Sequence, residues 1–473
     1  MDFFFAPRGV AVIGATPNPL KGGNAILKNL LSGYRGEIYP VNPRYRQIEG
    51  LPCYPSISAV PDPLDLAIIF IPAPLVPASV EECAARGVAG VMIESSGFAE
   101  TGAEGFQYQS ELRKMAAGKR IRIWGPNGMG LVDVKHDRIF SFMDPRARQR
   151  EWIPGDVSLV VQSGLLSATF LFDIMSHGLM GVSKVCSVGN KVDVNECDLL
   201  EYFIGDPDTR VIGFYLESFA DGRRFLEIRR RCTKPIVVLK GGRTRKGAEA
   251  ALSHTASLAG NHRIIAGALA QSAIIEVRDF RQMTDVCRTL AMMPPPDAPG
   301  NRVAVLTFSG GAGIVSADFI EENGLRLADL SEETRTALRG LYPAWMPVAH
   351  PIDLWPALES HIGQNVNIFG LALEAVLADP GVDAVFLHAF TGNAHIRIDP
   401  TDLVRPVRES GKPAVVWQTG RREESFSFQQ QALRCGIPVF TEIGRAVECL
   451  AAVLRGRYRP ETIPALGIPV GPL

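Results

Sequence analysis

The chain has 473 residues, with 49 Lys+Arg against 50 Asp+Glu, a formal net charge of −1. That balance gives no electrostatic grip on nucleic acid or on an anionic membrane. A hydrophobic fraction of 46% and a charged fraction of 21% exclude a mainly disordered chain, and the length suggests roughly three domains.

The eight cysteines form no C-x-x-C pair and have no histidine at zinc spacing, so they read as buried thiols in a reducing compartment with no metal site. The opening Met1-Asp2-Phe3-Phe4-Phe5 lacks a signal peptide's basic and long apolar regions, and no stretch approaches the ~18 apolar residues that span a bilayer. A cytoplasmic protein without membrane contact is expected.

In chain order, short apolar runs alternate with amphipathic stretches: Gly9–Ile13, Leu66–Ile71, Gly90–Glu94 and Ile121–Trp124, then Ser158–Val161, Val211–Leu216 and Ile236–Leu239, then Val303–Phe308, Ala384–His388 and Ala414–Trp417. Such runs suit strands buried on both faces, so the expected class is α/β with parallel sheets. Two joints divide the chain, one at Met143–Pro154 and one at the proline-rich Met292–Asn301. The expected domains are 1–145, 155–292 and 300–460.

The first strand ends in Ile13-Gly14-Ala15-Thr16, and a helix is expected from Gly22 through Leu31. Exposed backbone N–H groups at such a turn favour a phosphate. The pattern departs from G-x-G-x-x-G, and the second strand ends Tyr39-Pro40-Val41-Asn42-Pro43-Arg44, where Arg44 suits a phosphate better than a ribose diol. Ile71-Pro72, Glu94-Ser95-Ser96-Gly97-Phe98 and Gly125-Pro126-Asn127-Gly128 all fall at the carboxyl ends of strands, the edge where open α/β sheets bind ligands. Ordinary loop chemistry is the alternative reading.

Gln162-Ser163-Gly164 hands a strand to a helix, where Ser163 either holds an oxyanion or merely caps the helix; the absence of G-x-S-x-G disfavours a serine nucleophile. Lys240–Ala248 and Leu252–Gly260 are rich in glycine, alanine, serine and cations, a composition suited to a mobile loop, with His254 near the middle. His254 is a candidate nucleophile or proton carrier, or a bystander. Ser309-Gly310-Gly311-Ala312-Gly313 repeats the strand-to-glycine-turn-to-helix logic, and no G-x-x-x-x-G-K-[ST] occurs.

Taken together, Gly14-Ala15-Thr16, Tyr39-Pro40-Val41-Asn42-Pro43, Ser96-Gly97-Phe98-Ala99-Glu100, Gln162-Ser163-Gly164 and Ser253-His254-Thr255-Ala256-Ser257-Leu258-Ala259-Gly260 resemble the alpha subunit of the ADP-forming acyl-CoA synthetases, relatives of succinyl-CoA synthetase. The resemblance covers nearly the whole chain. It implies an N-terminal Rossmann-like CoA-binding domain followed by two flavodoxin-like domains of succinyl-CoA-ligase type. Coenzyme A would be held by Gly14, Ala15, Thr16, Asn42, Arg44, Pro72, Ser95, Ser96 and Asn127.

By the same resemblance His254 is the phosphohistidine and Glu217 the carboxylate that orients it. Gln162, Ser163 and Gly164, with Ser309, Gly310 and Gly311, mark two helix N-termini facing the phosphate, with no fixed metal. The implied reaction converts acyl-CoA, ADP and phosphate to carboxylate, ATP and CoA through an acyl phosphate. Mg-ADP or Mg-ATP would bind an ATP-grasp beta subunit, since no stretch here is assignable to that fold, and a heterotetramer is expected. The family commonly has cysteine after Gly-Pro-Asn, where this chain has Gly128. The alternatives are a non-catalytic CoA-binding homologue and a dinucleotide oxidoreductase favoured only by the first glycine turn.

Overall fold

The computed structural model describes residues 1–118, 121–146, 152–178, 180–255, 260–293, 296, 300–364, 366–392 and 398–455, without the side chains of 165–168, 175 and 252–255. In chain order the strands are β1 (Gly9–Ile13), β2 (Glu37–Val41), a short ribbon β3 (Gln47–Ile48) and β4 (Leu51–Pro52), β5 (Leu66–Ile69), β6 (Gly90–Ile93) and β7 (Arg122–Trp124). They continue with β8 (Gly130–Asp133), β9 (Arg138–Phe140), β10 (Pro154–Val161), β11 (Val182–Ser187), β12 (Val211–Leu216), β13 (Ile236–Lys240) and β14 (Ile275–Val277). The last series is β15 (Arg302–Thr307), β16 (Arg326–Leu327), β17 (Ile352–Asp353), β18 (Ala384–Thr391), β19 (Ala414–Gly420) and β20 (Val439–Phe440).

Every apolar run read as a strand is one. The first sheet has the order β2-β1-β5-β6-β7 and is wholly parallel. Its central residues Val10, Ala11, Val12, Leu66, Ala67, Ile68 and Ile69 have no exposed surface, as expected of strands covered by helices on both faces. The second sheet runs β14-β13-β12-β10-β11-β8-β9. It is parallel except at one edge, where β8 pairs antiparallel with β11 and β9 with β8.

That edge departs from the expected boundary at 145, which leaves residues 130–140 with the first sheet. Leu131 and Phe140 bury in a core shared with Val10 and Trp124 of the first sheet and Val160, Cys186 and Phe214 of the second. The Trp124 indole N–H also donates to the Ser187 carbonyl at 2.6 Å. A continuous apolar core therefore ties the two sheets into one compact unit, Met1–Met283, and Thr284 opens a second.

Within the stretch read as a mobile loop, Arg245–Thr255 is a helix, while residues 256–259 lie outside the described residues. Alanine at 248, 250 and 251 favours helix, Arg245 and Lys246 pair with Glu249 at 3.0 and 2.8 Å, and the Thr244 hydroxyl accepts from the Gly247 N–H at 3.1 Å. Glycine and cations at its start suggested a loop; the alanines that follow decide otherwise.

The second unit carries the third sheet, ordered β16-β15-β18-β19-β20 with β17 beside β15, all parallel. At its centre His388 is fully buried among Phe308, Phe386 and Trp417, with Nδ1 2.8 Å from Thr307 Oγ1 and Nε2 3.0 Å from Ser316 Oγ. Burial pushes its pKa down to about 3. The unfolded chain, with an ordinary imidazole near 6.5, then binds a proton that the folded unit refuses. This contribution to stability is complete above about pH 6.5 and is lost as pH falls toward 3, at about 1.4 kcal/mol per pH unit. Urea unfolding between pH 7 and pH 5 is expected to show that slope, and His388→Gln to flatten it; an unchanged slope in the variant would assign the acid sensitivity to other groups.

Candidate active site

Two clefts in the first unit gather the candidate residues. The first, of about 920 Å³, opens at the carboxyl ends of β1, β2, β5 and β6. Gly14, Thr16, Asn42, Arg44, Pro72, Ser95 and Ser96 line it, together with Lys21, Ser56, Phe70, Leu75 and Ser79, which the sequence did not single out. Its floor is backbone. Gly14 has φ +95°, and a β-carbon there would lie 2.3 Å from the Phe70 carbonyl oxygen, so only glycine fits.

The polar residues divide between ligand-facing and structural work. Asn42 is spent on the fold: its Nδ2 donates to the Ala15 carbonyl at 2.8 Å, and its Oδ1 accepts from the Arg44 N–H at 3.0 Å. Ser95 is buried, and its hydroxyl accepts from the Ile71 N–H at 3.0 Å. Ala15 lies beneath the cleft without exposed surface. Arg44, Lys21 and Ser96 remain exposed at its walls. Cations over bare backbone suit phosphates, and Phe70, Pro72 and Leu75 offer an apolar wall, so the donor set fits a phosphorylated, partly apolar ligand such as CoA.

Gly14→Ala is expected to cost about 1–3 kcal/mol of stability and to reduce the thermal shift produced by CoA. A variant with wild-type melting and wild-type shift would show that the turn tolerates a side chain.

Asn127 stands apart from the cleft lining: its backbone N–H donates to the Ser95 carbonyl at 3.0 Å, and its Nδ2 reaches Asn190 Oδ1 at 3.4 Å. At Gly128 a β-carbon would lie 2.8 Å from the Ser187 carbonyl oxygen. The position that commonly carries cysteine in the resembling family is therefore closed to a side chain here unless the backbone shifts.

The second cleft, of about 620 Å³, is lined by Ser163, Tyr215, Glu217, Gly241, Gly242, Gly247, Ala250 and Ala251. Ser163 is the N-cap of the helix Gly164–His177, with extended backbone and no side-chain capping bond. Glu217 is buried just past the end of β12, and its Oε1 accepts from the Tyr215 hydroxyl at 3.3 Å. Burial, reinforced by that carboxylate, raises the Tyr215 pKa and keeps the hydroxyl a donor.

The main chain around Glu217 is clamped on every side. Gln162 Oε1 accepts from the N–H groups of Glu217 and Ser218 at 2.8 and 3.2 Å. Lys240 Nζ donates to the Glu217 carbonyl at 2.6 Å and also to the Gly241 carbonyl. Lys191 Nζ donates to the Ser218 carbonyl at 2.6 Å and to the buried Glu196 Oε2 at 3.0 Å, and Glu196 Oε1 accepts from the Ala220 N–H at 2.5 Å. Burial lowers the Lys240 pKa, an expense that the carbonyl acceptors offset. Gln162 Nε2 is buried and has no hydrogen-bond partner among the described residues.

His254 belongs to the helix Arg245–Thr255, one turn beyond Ala250 and Ala251 in the register that lines the cleft; its side chain lies outside the described residues. The same helix reaches contact distance of the 3-10 turn Ala99–Thr101, next to the loop of the first cleft. Ser309, Gly310 and Gly311 lie in the second unit, where Ser309 is the uncapped N-cap of the helix Gly310–Glu322 and Gly310 stands beside Asp353 Oδ2.

Comparison with known proteins places both clefts in segments that match known domains. A CoA binding domain matches residues 8–133, and a succinyl-CoA ligase-like flavodoxin domain matches residues 154–290. The chain is 36% identical over 472 residues to the acetate–CoA ligase [ADP-forming] I subunit alpha of Pyrococcus furiosus, covering 96% of this chain and 97% of that one. It is 36% identical over 456 residues to the acetate–CoA ligase [ADP-forming] II of Archaeoglobus fulgidus, covering 96% of this chain but 66% of the longer relative. Among solved structures, the dinucleotide forming acetyl-coenzyme A synthetase 1 of Ca. Korarchaeum cryptofilum, in complex with phosphate and ADP, superposes with a TM-score of 0.84 at 32% identity, over 96% of both chains. The chain belongs to the family of ADP-forming acetate–CoA ligases.

Proposed function

We propose that the chain is the alpha subunit of an ADP-forming acyl-CoA synthetase, acting with a separate ATP-grasp beta subunit in a heterotetramer. The carrying observation is the second cleft, where Ser163 and the clamped Glu217 share one space with the small-residue face of the His254 helix. The relatives support the division of labour. The Pyrococcus furiosus alpha subunit matches this chain nearly end to end, whereas the Archaeoglobus fulgidus ligase extends well beyond it.

In this reading CoA occupies the first cleft, with Lys21 and Arg44 toward its phosphates. A phosphate oxygen bonds to the thioester carbonyl carbon, the carbon–sulfur bond breaks, and the thiolate leaves and takes up a proton. The His254 imidazole then attacks phosphorus, the bond from phosphorus to the acyl oxygen breaks, and the carboxylate departs. ADP held by the beta subunit finally accepts the phosphoryl group and frees the imidazole.

The residues of this chain position and neutralise. Glu217 holds the imidazole tautomer and balances positive charge on the ring. The N–H groups at the start of the Gly164–His177 helix and the Gln162 amide, which has no partner among the described residues, meet phosphoryl oxygens. The small residues Gly247, Ala250 and Ala251 leave room for the phosphate beside the histidine helix.

The test is release of free CoA from acetyl-CoA. The chain alone is expected to release CoA only with phosphate and only stoichiometrically; adding an ATP-grasp partner and Mg-ADP should convert this to turnover with ATP formed. Sustained turnover by the chain alone, or CoA release without phosphate, would overturn the proposal.

A further inference from the structure

The loop Ser96-Gly97-Phe98-Ala99-Glu100 ends in a carboxylate that the proposed chemistry leaves without a role. Glu100 is half-buried, and its two oxygens face different parts of the molecule. Oε1 accepts from the N–H groups of Gly97 and Phe98 at 2.7 and 3.0 Å, fixing the loop whose Ser96 lines the CoA cleft. Oε2 accepts from Asn190 Nδ2 at 2.7 Å, across to the loop that follows β11 in the second sheet.

Asn190 is itself held on several sides. Its Nδ2 also donates to the buried Gln109 Oε1 at 2.9 Å, and Gln109 Oε1 accepts from the Ala99 N–H at 3.3 Å. Its backbone N–H donates to the Pro126 carbonyl at 2.8 Å, in the same turn as Asn127. The next residue, Lys191, is the one whose buried Nζ grips the Ser218 carbonyl and Glu196. Hydrogen bonds and adjacent backbone thus run from the CoA-cleft loop through Glu100, Asn190 and Lys191 to the main chain that carries Glu217.

We propose that Glu100 is a positioning residue that, through Asn190, sets the CoA-cleft loop in register with the Glu217 loop, so that an acyl phosphate made at the thioester end meets the imidazole correctly placed. The inference rests on the ligase reading above. The physical basis is that a charge-assisted hydrogen bond to a side chain fixed on several sides has one arrangement, so movement of either loop must move or break it. Glu100 touches no reacting atom in this scheme. Its loss should therefore affect the step that needs both clefts and spare the step that needs only the imidazole and the beta subunit.

The experiment compares phosphohistidine formation from two donors: acetyl-CoA with labelled inorganic phosphate, and Mg-ATP with the beta subunit. Glu100→Ala and Asn190→Ala are each expected to slow labelling from acetyl-CoA about tenfold, and the double variant no further, because both break the same link. Labelling from Mg-ATP should stay within about twofold of wild type for all three. Glu100→Gln keeps an oxygen for the Gly97 and Phe98 N–H groups but sets an amide NH2 against Asn190 Nδ2, which Gln109 Oε1 holds in place, so it should keep the loop yet lose the link and slow labelling from acetyl-CoA as Asn190→Ala does.

Equal losses from both donors, additive losses in the double variant, or no loss at all would overturn the inference. If Glu100→Ala fails to fold, Asn190→Ala and Glu100→Gln still carry the donor comparison. Wild-type protein that accepts label from neither donor would instead defeat the ligase reading, and this inference with it.

Discussion

His254→Ala is expected to lower the full reaction by roughly a thousandfold or more, because the residue is proposed to carry the phosphoryl group covalently. CoA binding should be unaffected: the first cleft is built from the ends of β1, β2, β5 and β6, and none of its described lining residues comes from the Arg245–Thr255 helix. The informative result is the pair, lost turnover with an unchanged CoA-induced thermal shift. Release of CoA from acetyl-CoA and phosphate should persist to some degree, since acyl phosphate formation precedes the imidazole's attack. A variant that retained ATP synthesis near the wild-type rate would place the phosphoryl carrier elsewhere.

Glu217→Gln is expected to slow phosphohistidine formation by about a hundredfold while leaving folding and CoA affinity close to wild type. The reasoning depends on which atoms are held. Gln162 and Lys240 grip the backbone N–H and carbonyl of residue 217, and neither bond involves the carboxylate. The substitution therefore leaves those backbone bonds in place and removes the side chain's charge. The effect then measures what that charge does for an imidazole that becomes positive during transfer. Weakened CoA binding with normal labelling would show that the carboxylate serves the first cleft instead.

The sequence was most legible where burial dictates composition. Runs such as Gly9–Ile13 and Val211–Leu216 had to be strands covered on both faces, because nothing polar interrupts them and helices flank them. The glycine turn at Gly14 was legible for a similar reason, since bare backbone at a strand's carboxyl end has few other uses. Pairing between distant segments was not legible. Gly130–Asp133 joins the second sheet because it pairs antiparallel with Lys184–Ser187, a partner chosen by packing across some fifty residues rather than by any local pattern.

The helix at Arg245–Thr255 was missed for another reason. Glycine and cations at its start weighed toward a loop, while its alanines and its Arg245–Glu249 pair favour helix more strongly. The clamp around Glu217 left almost no sequence signal. Gln162 was singled out as a phosphate ligand, yet its carbonyl oxygen is committed to the 217–218 backbone, and its amide alone has no partner among the described residues. Lys191 and Glu196 come from one segment and Lys240 from another nearly fifty residues on, and only folding reveals that they converge on one loop. Buried cations at strand ends, as at Lys240, are the one cue available to a reader of the sequence, because such a lysine must have acceptors.

The most direct test of the central claim is to locate the phosphoryl group itself. The wild-type chain, incubated with acetyl-CoA and labelled inorganic phosphate and kept at alkaline pH, should carry acid-labile, base-stable phosphate that peptide mapping places on His254. Release of CoA accompanied by phosphate on another residue, or by none on the protein, would contradict the account.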